Sequence, residues 1–153
     1  MRCNDAGLAL IKRFEGCRLT AYPDAGGYSI GWGHHAPNIA QGMTWTQQEA
    51  DAQLVADISE VESEMAHMIG ADLSDNQWSA LVDLFYNVGA GKLKGTRTLA
   101  LLNEGKFNAV ADRLLLWNLV MGSPNMVLEA RRKAERELFL TPDAGNGAQL
   151  VVA

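Results

Sequence analysis

Residues 14–34 read FEGCRLTAYPDAGGYSIGWGH, and the change of pattern inside this stretch decides the fold. Just upstream, Leu8, Ile11 and Phe14 recur at helical spacing behind Asn4 or Asp5, either of which suits an N-cap. Gly16 is placed to end that helix, so Glu15 falls at its C-terminus. From Cys17 to Asn38 the chain turns to aromatic and β-branched residues punctuated by Pro23, Gly26, Gly27, Gly31, Gly33 and Pro37, the signature of short strands and tight turns. A small β-rich lobe at about 17–45 is expected.

Helical signals dominate beyond it. Thr46-Gln47-Gln48-Glu49 is a capping box, and Leu54, Ile58, Val61, Met65 and Met68 extend a long acidic helix towards Gly70, suited to joining two lobes. Met65 and Met68 read as core gap-fillers. Ser74-Asp75-Asn76-Gln77 repeats the box before Trp78, Leu81, Leu84 and Phe85, a helix with one buried face that Gly89 and Gly91 stop. Three more helices are expected at about 98–103, 108–119 and 126–140, broken by Gly105 and by Gly122-Ser123-Pro124. The fold class is therefore α+β: one domain over 1–140, with a helical lobe at about 70–140 that includes the N-terminal helix. A flexible, dispensable tail is expected at 141–153.

Composition bounds the function. With 153 residues, 48% of them hydrophobic, the chain can build one real core, and no run approaches the roughly 20 apolar residues of a membrane helix. Neither a signal peptide nor a spanning segment is visible. Cys3 and Cys17 bracket a helix of about 12 residues, whose ends lie roughly 18 Å apart, too far for a disulfide. A net charge of −5 argues against nucleic acid. Between Arg18 and Lys92 there is no Lys or Arg but there are ten carboxylates, which leaves basic ends around an acidic middle. Such a middle reads first as a solvated acidic face, and otherwise as charge polarisation that turns the basic ends to an anionic polymer.

Glu15 and Asp24 are the candidate chemistry. Breaking a glycosidic bond takes a proton donor for the leaving oxygen and a second polar group that handles water or the developing positive charge. At the end of a helix the dipole disfavours an ionised Glu15, while Asp24 on an open turn is expected to stay charged. Spacing alone would be weak evidence. The stretch, however, resembles the phage-type lysozymes, glycoside hydrolase family 24, whose helix-ending Glu-Gly is followed by a tyrosine, an Asp or Cys and a Thr-Ile-Gly-Tyr-Gly-His-like strand. The likeness continues through Phe85–Gly91, Thr98–Gly105, Trp117 and Glu129–Glu135, from about Gly7 to Leu140.

That resemblance implies hydrolysis of the β-1,4 bond from N-acetylmuramic acid to N-acetylglucosamine in peptidoglycan glycan strands, with inversion and without metal or cofactor. Glu15 would be the acid, Asp24 the water-directing carboxylate, and Ser29, in the threonine position, a hydroxyl that holds the water. Two departures accompany it: serine lacks the methyl that restricts a threonine rotamer, and the interval from Asp24 to Ser29 is one residue shorter than usual. Arg131 is implied as an ion-pair partner of Glu15, while Arg132 and Lys133 read equally as a solvated basic face. Asn87 is a candidate for a sugar amide or for closing its helix. Tyr22, Tyr28 and Trp32 are candidates for the saccharide cleft or for packing within the lobe. His34 is expected to pair with an acid of the long helix; with His35 pointing to the opposite face of a strand, no metal site forms. A monomer, made in the cytoplasm and acting at the cell wall after release through a separate pore, is the expectation. A lytic transglycosylase and a non-catalytic wall-binding protein of the same fold are the rival readings.

Overall fold

Asn4, rather than Asp5, caps the first helix: its side chain accepts from the Gly7 amide and opens α1, Asp5–Glu15. Gly16, at φ 66°, ends it in a backbone conformation that favours glycine. The computed structural model describes residues 1–144. After α1 the chain forms β1 (Arg18–Asp24), β2 (Gly27–Gly31) and β3 (His34–His35), one antiparallel sheet in that order. Segment 43–45 closes on the outer edge of β1, where Met43 accepts from the Ala21 amide and the Trp45 amide donates to Leu19.

The short Asp24–Ser29 interval has a direct structural reason. Ala25 (φ 46°) and Gly26 (φ 80°) make a two-residue hairpin loop with both φ values positive, the geometry that suits the twist of paired strands. Asp24 consequently pairs with Gly27 and Tyr22 with Ser29, and Ser29 in turn pairs with His35 on β3. Paired residues share a face, and so do residues two apart on one strand. Tyr22, Asp24, Ser29 and His35 therefore line one side of the sheet.

Both capping boxes form. Thr46 and Glu49 start α2 (Gln47–Met68), the helix that leads from the sheet into the helical lobe, and Ser74 and Gln77 start α3 (Asp75–Val88). Every residue from Trp78 to Phe85 is buried, because α3 is packed against α1, α2 and α7 rather than along one face only. Its Leu81 and Leu84, with Ile11, Met65, Leu114 and Phe139, form the core; each such side chain contributes about 1.5–3 kcal/mol. Gly7 sets the approach of α1 to α3, since a Cβ there would lie 2.7 Å from Cys3 Sγ and 2.7 Å from Ser79 Cβ.

Beyond α3 come α4 (Ala90–Leu93), α5 (Arg97–Asn103), α6 (Phe107–Leu114), the hairpin β4 (Leu119–Val120) and β5 (Ser123–Pro124), and α7 (Met126–Leu140) capped by Asn125. The helix expected to reach Leu119 stops at Leu114: Met121 (φ 50°) and Gly122 (φ 80°) form a second two-residue hairpin loop that takes 119–124 out of helix. Part of the expected tail is docked. Both carboxylate oxygens of Asp143 accept from the Asp75 and Asn76 amides (2.9 and 2.8 Å), and the Asn76 side chain donates to Thr141 and Pro142. Residues 145–153 of that tail lie outside the described residues. No helix among the described residues is long and apolar enough to cross a membrane.

Candidate active site

Glu15 is presented by the last turn of α1, at the junction of the helical lobe with the sheet. Arg131, from α7, donates through Nη1 to Glu15 Oε1 at 2.7 Å, and the Glu15 side chain keeps 19% of its surface exposed. On its other side stands Gly33: a Cβ built there would lie 2.6 Å from Glu15 Oε2, and the φ of 84° favours glycine as well. The carboxyl group thus has one oxygen bound and the other against bare backbone.

Arg131 is itself held from behind. Its Nε and Nη2 donate to the two oxygens of Asp83 at 2.9 and 2.7 Å, a bidentate pair in which Asp83 is fully buried. Burial works against the guanidinium charge, but the Asp83 hydrogen bonds and charge, with Glu15 adding, outweigh it and hold Arg131 protonated well above its ordinary range. Held from behind by Asp83, Arg131 meets Glu15 through Nη1 both as a charge and as a fixed hydrogen-bond donor.

Asp24 ends β1 beside the hairpin loop. The Ser29 hydroxyl donates to Asp24 Oδ2 at 2.7 Å, and Ser29 Oγ lies 3.1 Å from His35 Nδ1. Ser29 is 0% exposed, so its hydroxyl meets Asp24 rather than open solvent. Burial pushes the Tyr22 hydroxyl pKa up, and the charges of Asp24 and Glu15 push it further. Both acids therefore act on one phenol, from the strand and from the helix end.

The family model for phage lysozyme matches residues 12–135. The chain belongs to the phage lysozyme family. Among its relatives, the endolysin of Salmonella phage P22 is 36% identical over 146 residues, 92% of this chain and 99% of that protein. The endolysin of Bacillus phage B103 is 36% identical over 149 residues, 95% of this chain, but the chain spans only 57% of that relative's length. Of solved structures, the muramidase domain of SpmX from Asticaccaulis excentricus superposes with a TM-score of 0.84 at 32% identity, covering 92% of this chain and 99% of that one. A mutant of P22 lysozyme gives a TM-score of 0.80 at 35% identity with the same coverage.

Within this phage lysozyme the other sequence candidates fall in different places. His34 is bound through Nδ1 to both oxygens of Asp57 on α2, at 3.0 and 2.9 Å, and ties the sheet to the long helix. Trp32 donates its indole N–H to Asp51 (2.8 Å) under the Lys12 ammonium, so its polar edge is engaged in the same seam. Tyr28 neighbours Ser29 in β2 and so points to the opposite face from Asp24. Tyr22 carries the Arg18 guanidinium over its ring at 4.3 Å. Asn87 spends its amide oxygen on Arg132 Nη2 (2.9 Å) and stands at the rim of a cavity of about 940 Å³ between the ends of α3, α5 and the β4–β5 hairpin. Neither Glu15 nor Asp24 lines that cavity.

Arg132 is no solvated charge: it is fully buried and bonded to Glu135 at 2.7 Å. Burial lowers the Arg132 pKa and raises that of Glu135, the latter reinforced by hydrogen bonding to Asp83. Lys133, by contrast, is exposed and pairs with Glu129. Two site residues escaped the sequence reading, Asp83 and His35. Asp83 left one trace, a lone carboxylate inside the apolar run Leu81-Val82-Asp83-Leu84-Phe85. Among the described residues no cluster of three or more His, Cys, Asp or Glu is arranged to hold a metal ion.

Proposed function

We propose that this phage lysozyme is a muramidase that hydrolyses the β-1,4 bond between N-acetylmuramic acid and N-acetylglucosamine with inversion. The observation that carries the reading is the pair of carboxylates, each fixed through one oxygen, Glu15 by Arg131 and Asp24 by Ser29. A neutral Glu15 accepts from Arg131 through its carbonyl oxygen and holds its proton on the other oxygen, ready for the glycosidic oxygen. Asp24, with Oδ2 taken by Ser29, keeps Oδ1 to orient a water at the sugar carbon on the opposite face. Proton donation and attack by water then complete hydrolysis in one displacement. Ser29 contributes through Asp24, since its own oxygen is buried.

The glycan would run from the sheet face that carries Asp24, past Glu15, towards the cavity beyond Asn87, whose volume is within the usual range for ligand sites. Two endolysins among its relatives and a muramidase domain among its structural neighbours support the same substrate, the glycan strands of the cell wall. The enzyme acts there as a monomer, made in the cytoplasm and released to the wall.

A lytic transglycosylase also needs one acid but no carboxylate to aim water, so Asp24 favours hydrolysis. Mass spectrometry of muropeptides from digested sacculi decides the matter. Reducing muramic acid ends are expected; anhydromuramic ends overturn hydrolysis, and binding to sacculi without any soluble product overturns catalysis altogether.

A further inference from the structure

The side of the sheet that carries Asp24 holds a group with no place in the mechanism above. His35 is the register partner of Ser29, and its Nδ1 stands 3.1 Å from Ser29 Oγ. Ser29 commits its only proton to Asp24 Oδ2. Its oxygen can therefore only accept from His35, which requires the proton of the imidazole on Nδ1. The result is a directed chain, His35 N–H to Ser29 O–H to the Asp24 carboxylate.

The sheet makes room for this ring. Gly27, two residues before Ser29 on the same face, is the place the imidazole covers: a Cβ at position 27 would lie 3.1 Å from His35 Cε1 and 3.4 Å from Nε2. His35 is thus packed over β2 although its outer edge is exposed.

We propose that His35 is a positioning residue for Asp24, acting through Ser29; this rests on the reading of Asp24 as the water-directing carboxylate. Serine carries no branch at Cβ to fix its χ1, so its hydroxyl has three staggered positions to choose from. An N–H aimed at the oxygen selects the rotamer that reaches Asp24. Polarisation along the chain strengthens the terminal O–H to carboxylate bond as well. The carboxylate is then held with one oxygen bound and the other open to water, and a rotation of Asp24 away from that pose is the event His35 prevents. The effect belongs to the chemical step, because His35 acts through the Ser29 hydroxyl on the carboxylate that aims the water.

The test is kinetic, on dye-labelled sacculi, with melting temperature recorded for each variant. His35→Ala is expected to lower kcat about tenfold with KM within twofold of wild type. His35→Asn, whose amide nitrogen falls where Nδ1 was, recovers kcat to within about threefold of wild type. His35→Gln, whose amide falls where Nε2 was, stays with His35→Ala. In a Ser29→Ala background, His35→Ala costs less than twofold, since the link to Asp24 is already cut. Nitrogen-15 NMR of the wild-type imidazole shows the Nδ1–H tautomer. A His35→Ala variant within twofold of wild type, an undiminished His35→Ala effect in the Ser29→Ala background, or an Nε2–H tautomer in active wild type each overturns the proposal. A wild type silent on sacculi overturns the muramidase reading instead.

Discussion

Replacing Asp83 with Asn removes the charge behind Arg131 while keeping the shape of the side chain. The carboxylate accepts two charge-assisted hydrogen bonds from Arg131, at 2.9 and 2.7 Å, from a position with no exposed surface. An amide offers one acceptor in that geometry and turns an N–H towards the other guanidinium N–H. Removing one partner of a buried ion pair costs about 3–5 kcal/mol, and the part-exposed Glu15 that Arg131 keeps does not replace two buried charge-assisted bonds. For a chain of this size each kcal/mol lowers Tm by about 2–4 °C, so the expected fall is roughly 6–20 °C. Glu129→Gln is the control: its pair with Lys133 spans one turn of α7, with the side chains 45% and 64% exposed, and breaking it costs no more than about 0.5 kcal/mol. Thermal unfolding followed by circular dichroism compares the two. Below the lowered Tm the Asp83→Asn protein also loses kcat, because Nη1 no longer holds Glu15 in a fixed pose. If Asp83→Asn melts within about 2 °C of wild type, Arg131 does not depend on Asp83 and the reasoning fails.

Other consequences follow from close approaches and from one half-buried thiol. Gly33→Ala places a Cβ 2.6 Å from Glu15 Oε2 on a left-handed backbone, so activity on sacculi falls at least tenfold and stability by about 1–2 kcal/mol; an active Gly33→Ala enzyme contradicts the placement of Glu15. Gly7→Ala ordinarily gains about 1 kcal/mol within a helix, but here the methyl meets Cys3 and Ser79, so denaturant titration shows a net loss; a gain would mean that α1 and α3 are not in contact at this point. Burial raises the Cys3 pKa from 9.0 to about 12, so folding favours the thiol over the thiolate. Its contribution is fully present below pH 9 and is lost as the pH rises through about 12; urea midpoints fall more steeply over that range for wild type than for Cys3→Ala, and parallel curves contradict this. For the same reason Cys3 resists a thiol reagent at pH 8 until the protein unfolds.

Several elements were legible because independent local signals agreed. For α2 and α3, capping boxes coincide with apolar spacing; for α1 a cap precedes the periodic run, and α7 follows the Gly122-Ser123-Pro124 break. The β4–β5 hairpin was hidden because its loop is Met121-Gly122; a methionine at φ 50° carries none of the Asn or Asp preference that marks such loops. Residues 115–119 then read as a continuation of α6. The first hairpin is expected from Gly26 and Gly27, but Ala25-Gly26 does not announce a two-residue loop, so the short interval before Ser29 reads as a departure. At the site, residue type and position make Glu15 and Asp24 candidates only; their roles, like the Arg131 partnership, come from the resemblance. Asp83 was counted with the acidic middle of the chain, because its burial follows from three helices surrounding α3, which no local pattern records. The alternation that placed His34 and His35 on opposite faces was sound; it is also what brings His35 to Ser29.

The central claim concerns Glu15 as the proton donor, and loss of turbidity of purified sacculi under a folded Glu15→Gln variant tests it most directly. Glutamine keeps an oxygen for Arg131 and has no acidic proton to give. Wild type is expected to clear the suspension and, at equal Tm or better, Glu15→Gln to clear it at least a thousandfold more slowly. Clearing by the variant at the wild-type rate would contradict the claim.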